Sequence, residues 1–452
     1  MTPIQFVLSV LQEKQELREG DLLLILDGRI SIETAFDIGS ALQMLRTRNT
    51  ELFIVGFSET LDLSSALILS FCDERISNPF AGPISFNHSA IDISTSDLFK
   101  KLGLDVLIEL IGAEKSGPEF FDTSMNRGPA MQAEHFKEMR LEVLKIIQQN
   151  ISTVDTLQDW YACSEELISS GLLTHTLYYE GLWGRYRLRK LKRLRGLYQT
   201  VTSSLTLGSS TRSVWVINLE NKWIGWLGPS VEKAATTFFR RKINSLPEAV
   251  IFVVNHNGGS LQEADRFFRF VEIIGRHVPI FVWVRRAISS GYLMSCVSKE
   301  IGIGPLGRIG GIGVYSAVFD ATRILDTLGV RIESLGPDRT IYAGAFVANA
   351  SDGFRQSVKQ KVEAMHEYYL AVLKSHRHLS NDQINLVKKG DTFLGQEGVT
   401  SGLADKLTDL PTFISSAIPE AFSRVIIKQI KFEPRPSVAH GITEAWRYLK
   451  SL

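Results

Sequence analysis

Short apolar runs alternate with amphipathic stretches in two parts of the chain, at 22–57 and at 249–284. The first part opens with LLLILD at 22–27, and the second opens with AVIFVVN at 249–255. In each part a helical pattern of apolar positions follows, and then a second apolar run. Runs that are apolar throughout and are joined by helices are typical of parallel strands buried on both faces. The pattern therefore predicts βαβ units and an α/β fold.

The two parts also match each other further along the chain at a nearly constant offset. A pair of serines at 64–65 recurs 225 positions later at 289–290, and SSGLL at 169–173 recurs as TSGLA at 400–404. Such agreement predicts two tandem copies of one domain. We expect the second copy to begin with an additional strand at 214–219, which the first copy lacks.

The repeat divides the chain into four segments. We expect the first copy over residues 1–180, a basic amphipathic linker over 181–212, the second copy over 213–411 and a C-terminal tail over 412–452. Both copies have the length of an ordinary single domain.

The linker contains seven cations from Arg185 to Arg195 and no acidic residue among them. Its leucines recur at every third position from Leu188 to Leu197. This pattern predicts a basic amphipathic helix, which is typical of segments that lie in the interface of an anionic membrane. A linker helix that packs its leucines on a domain fits the pattern equally well. Nucleic acid is not an expected partner, because the rest of the chain offers no set of aromatic residues for base stacking.

The composition is that of a globular protein, with 452 residues, 44% hydrophobic, 22% charged and a formal net charge of +1. These values exclude a mainly disordered, collagen-like or coiled-coil chain. The three cysteines lie far apart, which predicts neither a disulfide framework nor a metal site. The first residues lack the pattern of a secretory signal, and no apolar run approaches the ~20 residues that span a bilayer. We therefore expect a cytoplasmic protein with peripheral membrane contact through 185–195.

Three segments of the second copy combine glycine and serine at the ends of predicted strands. They are GGS at 258–260, SSGY at 289–292 and GGIGV at 310–314. Glycine pairs let the backbone turn sharply and present N–H groups to an oxyanion, although a tight turn alone also requires them. A serine at the start of a helix is most often an N-cap. Taken singly, each segment therefore has a purely structural interpretation.

In this order the three segments resemble the signal peptide peptidase A family, serine peptidases of the caseinolytic-protease and crotonase fold group. The resemblance covers about residues 20–410 and implies that each copy has this fold. It implies that Ser289 is the nucleophile and that the N–H groups of Gly258 and Ser290 bind the oxyanion, with Gly259 beside them at the substrate site. It also implies a homo-oligomeric ring or dome, and neither a metal nor an organic cofactor.

The resemblance places the general base in the first copy. Residues 112–120 read GAEKSGPEF and keep the order of the lysine motif of the family's long, tandem-repeat branch, with Lys115 on the lysine. At the corresponding place the second copy has Arg339, which stays protonated at any working pH. Conversely, the first copy reads SSAL at 64–67 where the second reads SSGY. Each copy thus retains the catalytic group that the other lacks.

Three places depart from the family pattern. Asn255, His256 and Asn257 stand where the family has Asp-Ser-Pro, and Ser290 stands where it has glycine after the nucleophile. Gly311 stands where the family has a serine that is thought to orient the lysine amine. These departures bear on whether the site is active.

The leading hypothesis is a serine endopeptidase with a Ser/Lys dyad that degrades short apolar peptides, such as cleaved signal peptides. The alternative is a catalytically silent pseudoprotease, a scaffold that binds peptides or a membrane surface. Gly311 favours the alternative, and the complementary retention of Ser289 and Lys115 favours the enzyme. Acyl-thioester chemistry, as on the crotonase variant of the fold, would not explain that complementarity.

Overall fold

The structure is a computed structural model, and its described residues lie in all four predicted segments. They are residues 6–8, 22–27, 30–50, 52–58, 61–79, 84–85, 105–111, 128–152, 161–162, 164–178, 190–195, 213–220, 247–259, 261–320, 322–330, 352–417 and 426–430.

The strands and helices within these ranges are numbered in chain order. The strands are β1 (Leu22–Asp27), β2 (Ile54–Ser58), β3 (Glu74–Ser77), β4 (Ile84–Ser85), β5 (Asp105–Ile111), β6 (Tyr161–Ala162), β7 (His175–Thr176), β8 (Lys190–Arg195), β9 (Ser213–Glu220), β10 (Ala249–His256), β11 (Ile280–Ile288), β12 (Glu300–Gly310), β13 (Val314–Asp320), β14 (Thr392–Leu394), β15 (Lys406–Leu407) and β16 (Ile426–Ile430). The helices are α1 (Ile32–Arg48), α2 (Leu63–Ser70), α3 (Gly128–Asn150), α4 (Ser164–Ser169), α5 (Leu261–Gly275), α6 (Ser290–Leu293), α7 (Thr322–Thr327), α8 (Asp352–Arg377), α9 (Asn381–Val387), α10 (Gln396–Thr400) and α11 (Leu410–Ala417).

The first sheet contains five strands of the N-terminal half in the order β7-β3-β2-β1-β8. Each neighbouring pair is parallel, and Leu22 of β1 lies opposite Ile54 of β2. Helix α1 connects these two strands, and Ser31 caps its first turn by accepting a hydrogen bond from the Thr34 N–H. The βαβ unit predicted from the apolar run at 22–27 is confirmed.

The second sheet has the order β14-β12-β11-β10-β9-β16, with β15 beside β12. Its strands are parallel except β14, which runs antiparallel to β12. Strands β10, β11 and β12 are adjacent in the same order as β1, β2 and β3, and β9 forms the opening strand expected at 214–219. The α/β fold with parallel sheets is confirmed, while the tandem copies stay a prediction.

Strand β8 corrects the prediction of a basic helix in the linker. Residues Lys190–Arg195 form a strand parallel to β1, with Leu22 opposite Lys190 and Asp27 opposite Arg195. The edge of β1 presents backbone N–H and C=O groups that need partners, and pairing with β8 satisfies them. The helix prediction is therefore wrong over 190–195. β8 occupies the place beside β1 that β9 occupies beside β10.

A shared hydrophobic core joins the N-terminal half to the second sheet. One cluster contains Leu24 and Leu42 from the first half together with Val253, Trp283 and Phe413 from the second. A second cluster covers the opposite face of the second sheet, beneath α5, α6 and α8. The second sheet is thus packed on both faces, as expected for apolar parallel strands.

The halves are also joined by a strand pair. Strand β5 of the first half runs antiparallel to β13 of the second, with Ile111 opposite Val314 and Asp105 opposite Asp320. This pairing brings the end of β5 to the segment that follows Gly311. Among the described residues, no helix is long and apolar enough to cross a bilayer.

Candidate active site

Ser289 lies between the end of β11 and the first residue of α6, in an unusual backbone conformation. Its φ is 55° and its ψ is −127°, and φ in this range is rare for residues other than glycine. The side chain makes no capping hydrogen bond to the helix. The N-cap interpretation therefore does not explain this serine. Such strained backbones cost about 1–3 kcal/mol and cluster at functional sites.

Four hydrogen bonds hold the backbone of Ser289 in this conformation, the longest from the Leu293 N–H to the Ser289 carbonyl at 3.4 Å. Its N–H donates to the Gly310 carbonyl at 2.8 Å, and its own carbonyl accepts from the Tyr292 N–H at 2.9 Å. The hydroxyl of Tyr369, on α8, donates to the same carbonyl. Burial raises the pKa of Tyr369 well above its usual range, so this hydroxyl keeps its proton and stays a donor. The conformation of Ser289 is thus fixed from β12, α6 and α8 together.

The glycine pair after β10 lies directly against this serine. A Cβ built on Gly258 would be 2.7 Å from the Cβ of Ser289 and 3.2 Å from its Oγ, and the φ of Gly258 is 100°. Only glycine fits such an approach at this φ. The hydroxyl of Ser290 donates to the Gly259 carbonyl at 3.2 Å. The structure therefore brings together Gly258, Gly259, Ser289 and Ser290, the four predicted site residues from the second half.

The Gly258 N–H is engaged inside its own loop. It donates to Nδ1 of His256 at 2.8 Å, and His256 is 1% exposed. The histidine also contacts α6, since a Cβ built on Gly291 would lie 3.1 Å from the His256 Cβ. Sequence reasoning treated His256 only as a departure from a motif. Its contacts with Gly258 and with Gly291 exist only in the folded structure.

Lys115, the predicted base, lies outside the described residues. The strand before it, β5, ends at Ile111 opposite Val314. Three residues before Val314, Gly311 packs against the serine loop, because a Cβ built there would lie 2.8 Å from the Ile288 Cγ2 and 3.3 Å from the Ser289 N. The described chain that precedes Lys115 thus ends near the loop that carries Ser289.

Two ion pairs connect the first half to the strand that carries Ser289. The Arg285 Nε and the Asp37 Oδ2 are 2.6 Å apart, and these residues are 5% and 1% exposed. The Arg286 Nη2 lies 2.7 Å from the Glu33 Oε1, and its Nη1 donates to the Asn257 Oδ1 at 3.3 Å. Arg286 therefore links α1 directly to the residue before the glycine pair.

Desolvation shifts the pKa of Asp37 in the buried pair with Arg285. Burial raises the pKa of Asp37 from its ordinary 3.8 to about 6, although the nearby Arg285 acts in the opposite direction. Sequence reasoning missed the two ion pairs because their partners are 248 and 253 positions apart, and no local pattern connects them. Among the described residues, no group of three His, Cys, Asp or Glu side chains could hold a metal ion.

Part of the chain matches a family model and several curated proteins. Residues 274–421 match the family model described as peptidase family S49. A protein of Methanocaldococcus jannaschii whose name classes it as a protease is 26% identical over 168 residues, which are 35% of this chain and 52% of that protein. The chloroplastic serine protease SPPA of Arabidopsis thaliana is 21% identical over 420 residues, which are 84% of this chain and 60% of that protein.

The chain thus spans little more than half the length of these two curated relatives. Among solved structures, a variant of the membrane-bound stomatin-specific protease 1510-N in complex with a substrate peptide is 13% identical. That alignment covers 52% of this chain and 100% of the other, with a TM-score of 0.32.

Proposed function

Because the chain belongs to peptidase family S49, the family of signal peptide peptidase A, we propose that it is a serine peptidase with Ser289 as nucleophile and Lys115 as general base. The observation that carries the proposal is the backbone of Ser289, at φ 55° with no side-chain cap. Because Ser289 does not cap its helix, helix formation does not explain its strained conformation. The strain is explained if this conformation presents the hydroxyl to a substrate beside the glycine pair.

The chemistry proceeds by acyl transfer. Uncharged Lys115 takes the proton from the Ser289 hydroxyl while Oγ attacks the substrate carbonyl carbon. The amide C–N bond then breaks, and the leaving amine takes the proton from the lysine. Water hydrolyses the acyl ester in a second step with the same base. Since free lysine has a pKa of ~10.4, burial or a nearby cation must lower it.

The oxyanion that forms in the first step needs N–H donors. The resemblance implies Gly258 and Ser290; we keep Ser290 and propose Gly259 in place of Gly258, whose N–H donates to His256. Ser290 is the first residue of α6, where a backbone N–H has no acceptor within the helix. Gly258 already donates its N–H to His256, so its part is the close approach to Ser289.

Chain reach supports Lys115 as the partner of Ser289. Lys115 comes four residues after Ile111, and four residues span at most about 14 Å when fully extended. Ile111 lies opposite Val314, three residues after the glycine that packs against the Ser289 loop. His256 is a less suitable base, because its Nδ1 already accepts a hydrogen bond from Gly258.

A second candidate function is a silent scaffold that binds peptides, and Gly311 favours it. The φ of Gly311 is 68°, and a side chain there would meet the Ile288 Cγ2 at 2.8 Å. A serine at this place would therefore be strained and would press against the Ile288 side chain. If no other group orients Lys115, the site would bind peptides without cleaving them.

The remaining parts of the proposal concern substrate, assembly and location. We propose short apolar peptides as substrates and a homo-oligomeric ring or dome that encloses the sites, in a cytoplasmic protein. Contact with an anionic membrane through 185–195 remains a prediction. It no longer includes a flat-lying helix, because β8 occupies 190–195.

The proposal is tested by cleavage of a quenched fluorescent apolar peptide. Ser289→Ala and Lys115→Ala should each abolish cleavage while circular dichroism and gel filtration stay unchanged. Ser64→Ala, at the matching position of the first half, is the control and should retain activity. The double variant should be no slower than either single one, since the two groups act as a unit. Full activity of Ser289→Ala would overturn the assignment.

A further inference from the structure

We propose that His256 is a positioning residue, whose neutral imidazole accepts the Gly258 N–H and so holds the glycine loop against the nucleophile. This inference rests on the proposed function. It assigns a role to a histidine at a position where the family pattern has serine. His256 does not touch the substrate in this proposal. It acts through the loop that the substrate carbonyl contacts.

The first observation is the hydrogen bond itself. The Gly258 N–H and the His256 Nδ1 are 2.8 Å apart, a normal hydrogen-bond length. The acceptor lies two residues before the donor, the arrangement in which Asn and Asp side chains stabilise turns. The bond therefore forces the chain to turn immediately after β10. This turn brings the Cα of Gly258 against Ser289.

The bond also defines the state of the imidazole. A ring nitrogen that accepts a hydrogen bond carries no proton, so the proton of the neutral ring is on Nε2. A doubly protonated ring would present N–H groups at both positions and could not accept from Gly258. The described conformation of the loop thus requires neutral His256.

The second observation is the place of the ring within the fold. His256 is almost completely buried, and it lies opposite Ala287 in the parallel ladder of β10 and β11. On α6 it contacts Gly291, where a built Cβ would lie 3.0 Å from the His256 carbonyl and 3.3 Å from Nδ1. Gly291 comes two residues after Ser289. One side chain therefore contacts both the glycine loop and the nucleophile helix.

These two contacts can be separated by substitution. His256→Asn keeps an acceptor at the same number of bonds from the backbone, but it loses most of the ring. His256→Leu keeps a comparable volume, but it has no acceptor. His277→Asn and His277→Leu are matched controls at an exposed histidine.

The experiment measures kcat and KM for peptide cleavage, together with the thermal unfolding of each variant. We expect His256→Leu to lower kcat roughly 10- to 100-fold with KM nearly unchanged, since a misplaced oxyanion loop weakens transition-state binding. His256→Asn should retain kcat within about fivefold, because one neutral acceptor replaces another. The His277 variants should match the wild type.

The outcomes distinguish this inference from the proposed function. If the wild type cleaves peptide and His256→Leu is folded and fully active, the positioning role is wrong and the peptidase assignment stands.

If His256→Leu fails to fold, His256→Asn is compared with His256→Ala, and an Asn variant no faster than the Ala variant overturns the role. If the wild type cleaves no peptide, the proposed function fails first. Hydrogen exchange of the Gly258 amide then tests the role, by at least about tenfold faster exchange in His256→Leu if His256 holds the loop and an unchanged rate if it does not.

Discussion

At the residue scale, the close approach of Gly258 to Ser289 sets the strictest requirement of the site. A side chain at position 258 would overlap Ser289 and would also force a residue with a Cβ into φ 100°. The overlap is with the Cβ of Ser289, which cannot move without disturbing the strained backbone of that residue. The site therefore depends on the absence of one carbon atom.

We predict that Gly258→Ala abolishes cleavage, with a loss of at least about 100-fold, because the nucleophile and its oxyanion donors are displaced together. The matched control is Gly329→Ala. Gly329 also has a positive φ, of 71°, but a Cβ there would meet nothing within 4 Å. It should cost about 1 kcal/mol of stability and leave kcat unchanged. Equal activities of the two variants would show that the approach at Gly258 has no catalytic role.

The Tyr369 hydroxyl gives a second prediction at this scale. Tyr369→Phe removes a buried donor to the Ser289 carbonyl, so it should cost about 1 kcal/mol of stability and lower kcat by about three- to tenfold. Its neighbour Tyr368, which donates to Asp265 at the surface, provides the control variant Tyr368→Phe. Steady-state kinetics of both variants check the prediction. A Tyr369→Phe enzyme with wild-type kcat would mean that the three remaining backbone hydrogen bonds hold Ser289 without the hydroxyl.

At the scale of elements, helix α1 is attached to β11 by charges as well as by apolar contacts. Asp37 and Arg285 form a buried pair, and Glu33 pairs with the adjacent Arg286. A buried ion pair adds little net stability, because desolvation offsets most of the attraction. The ion pairs instead fix the orientation of α1 relative to β11, the strand that ends directly before Ser289.

This pair predicts a pH dependence of stability. The unfolded chain releases the Asp37 proton near pH 4, whereas the folded protein holds it until about pH 6. Wild-type stability therefore falls, through this group, as pH rises from about 4 to about 6, and it changes no further above that. Asp37→Asn cannot titrate. Its stability relative to the wild type should rise by up to about 3 kcal/mol over this range.

Urea unfolding of both proteins at pH 4 and pH 7 measures this difference. The exposed Glu397→Gln variant corrects for the general effect of removing a carboxylate. A stability difference between wild type and Asp37→Asn that is the same at both pH values would contradict the raised pKa of Asp37.

Some strands were predictable from the sequence and others were not. The apolar runs at 22–27 and 249–255 identified β1 and β10 because parallel strands buried on both faces need no polar positions. Strand β8 was missed because its cations and leucines resemble a helix pattern, while its partner β1 is distant in sequence. Local pattern carries no information about an edge that another segment provides.

The residues of the candidate site also fall into those that the sequence predicted and those that it did not. Ser289 and the glycine pair were predicted through the family resemblance, whose motifs lie where a strand, a tight turn and a helix start follow one another in sequence. His256, Tyr369 and Asp37 were not predicted as site residues. Their roles arise from contacts with a loop, a carbonyl and an arginine that folding brings to them. The pairing of β5 with β13 is another contact of this kind.

At the scale of the whole molecule, the two halves form one catalytic unit in our proposal. They share a hydrophobic core, a strand pair and two ion pairs beside the nucleophile. A division of nucleophile and base between the halves requires such an interface. The base must also lose solvent to work near neutral pH, and an interface between halves provides that environment.

The most direct measurement is the rate at which a fluorophosphonate probe labels purified protein, with the modified residue identified by mass spectrometry. The proposed mechanism predicts labelling at Ser289 that disappears in Ser289→Ala and falls at least about 100-fold in Lys115→Ala. Lys145→Ala, at an exposed lysine, should label like the wild type. Labelling of Ser289 that is unaffected by Lys115→Ala, or no labelling of the folded wild-type protein, would contradict a dyad built from the two halves.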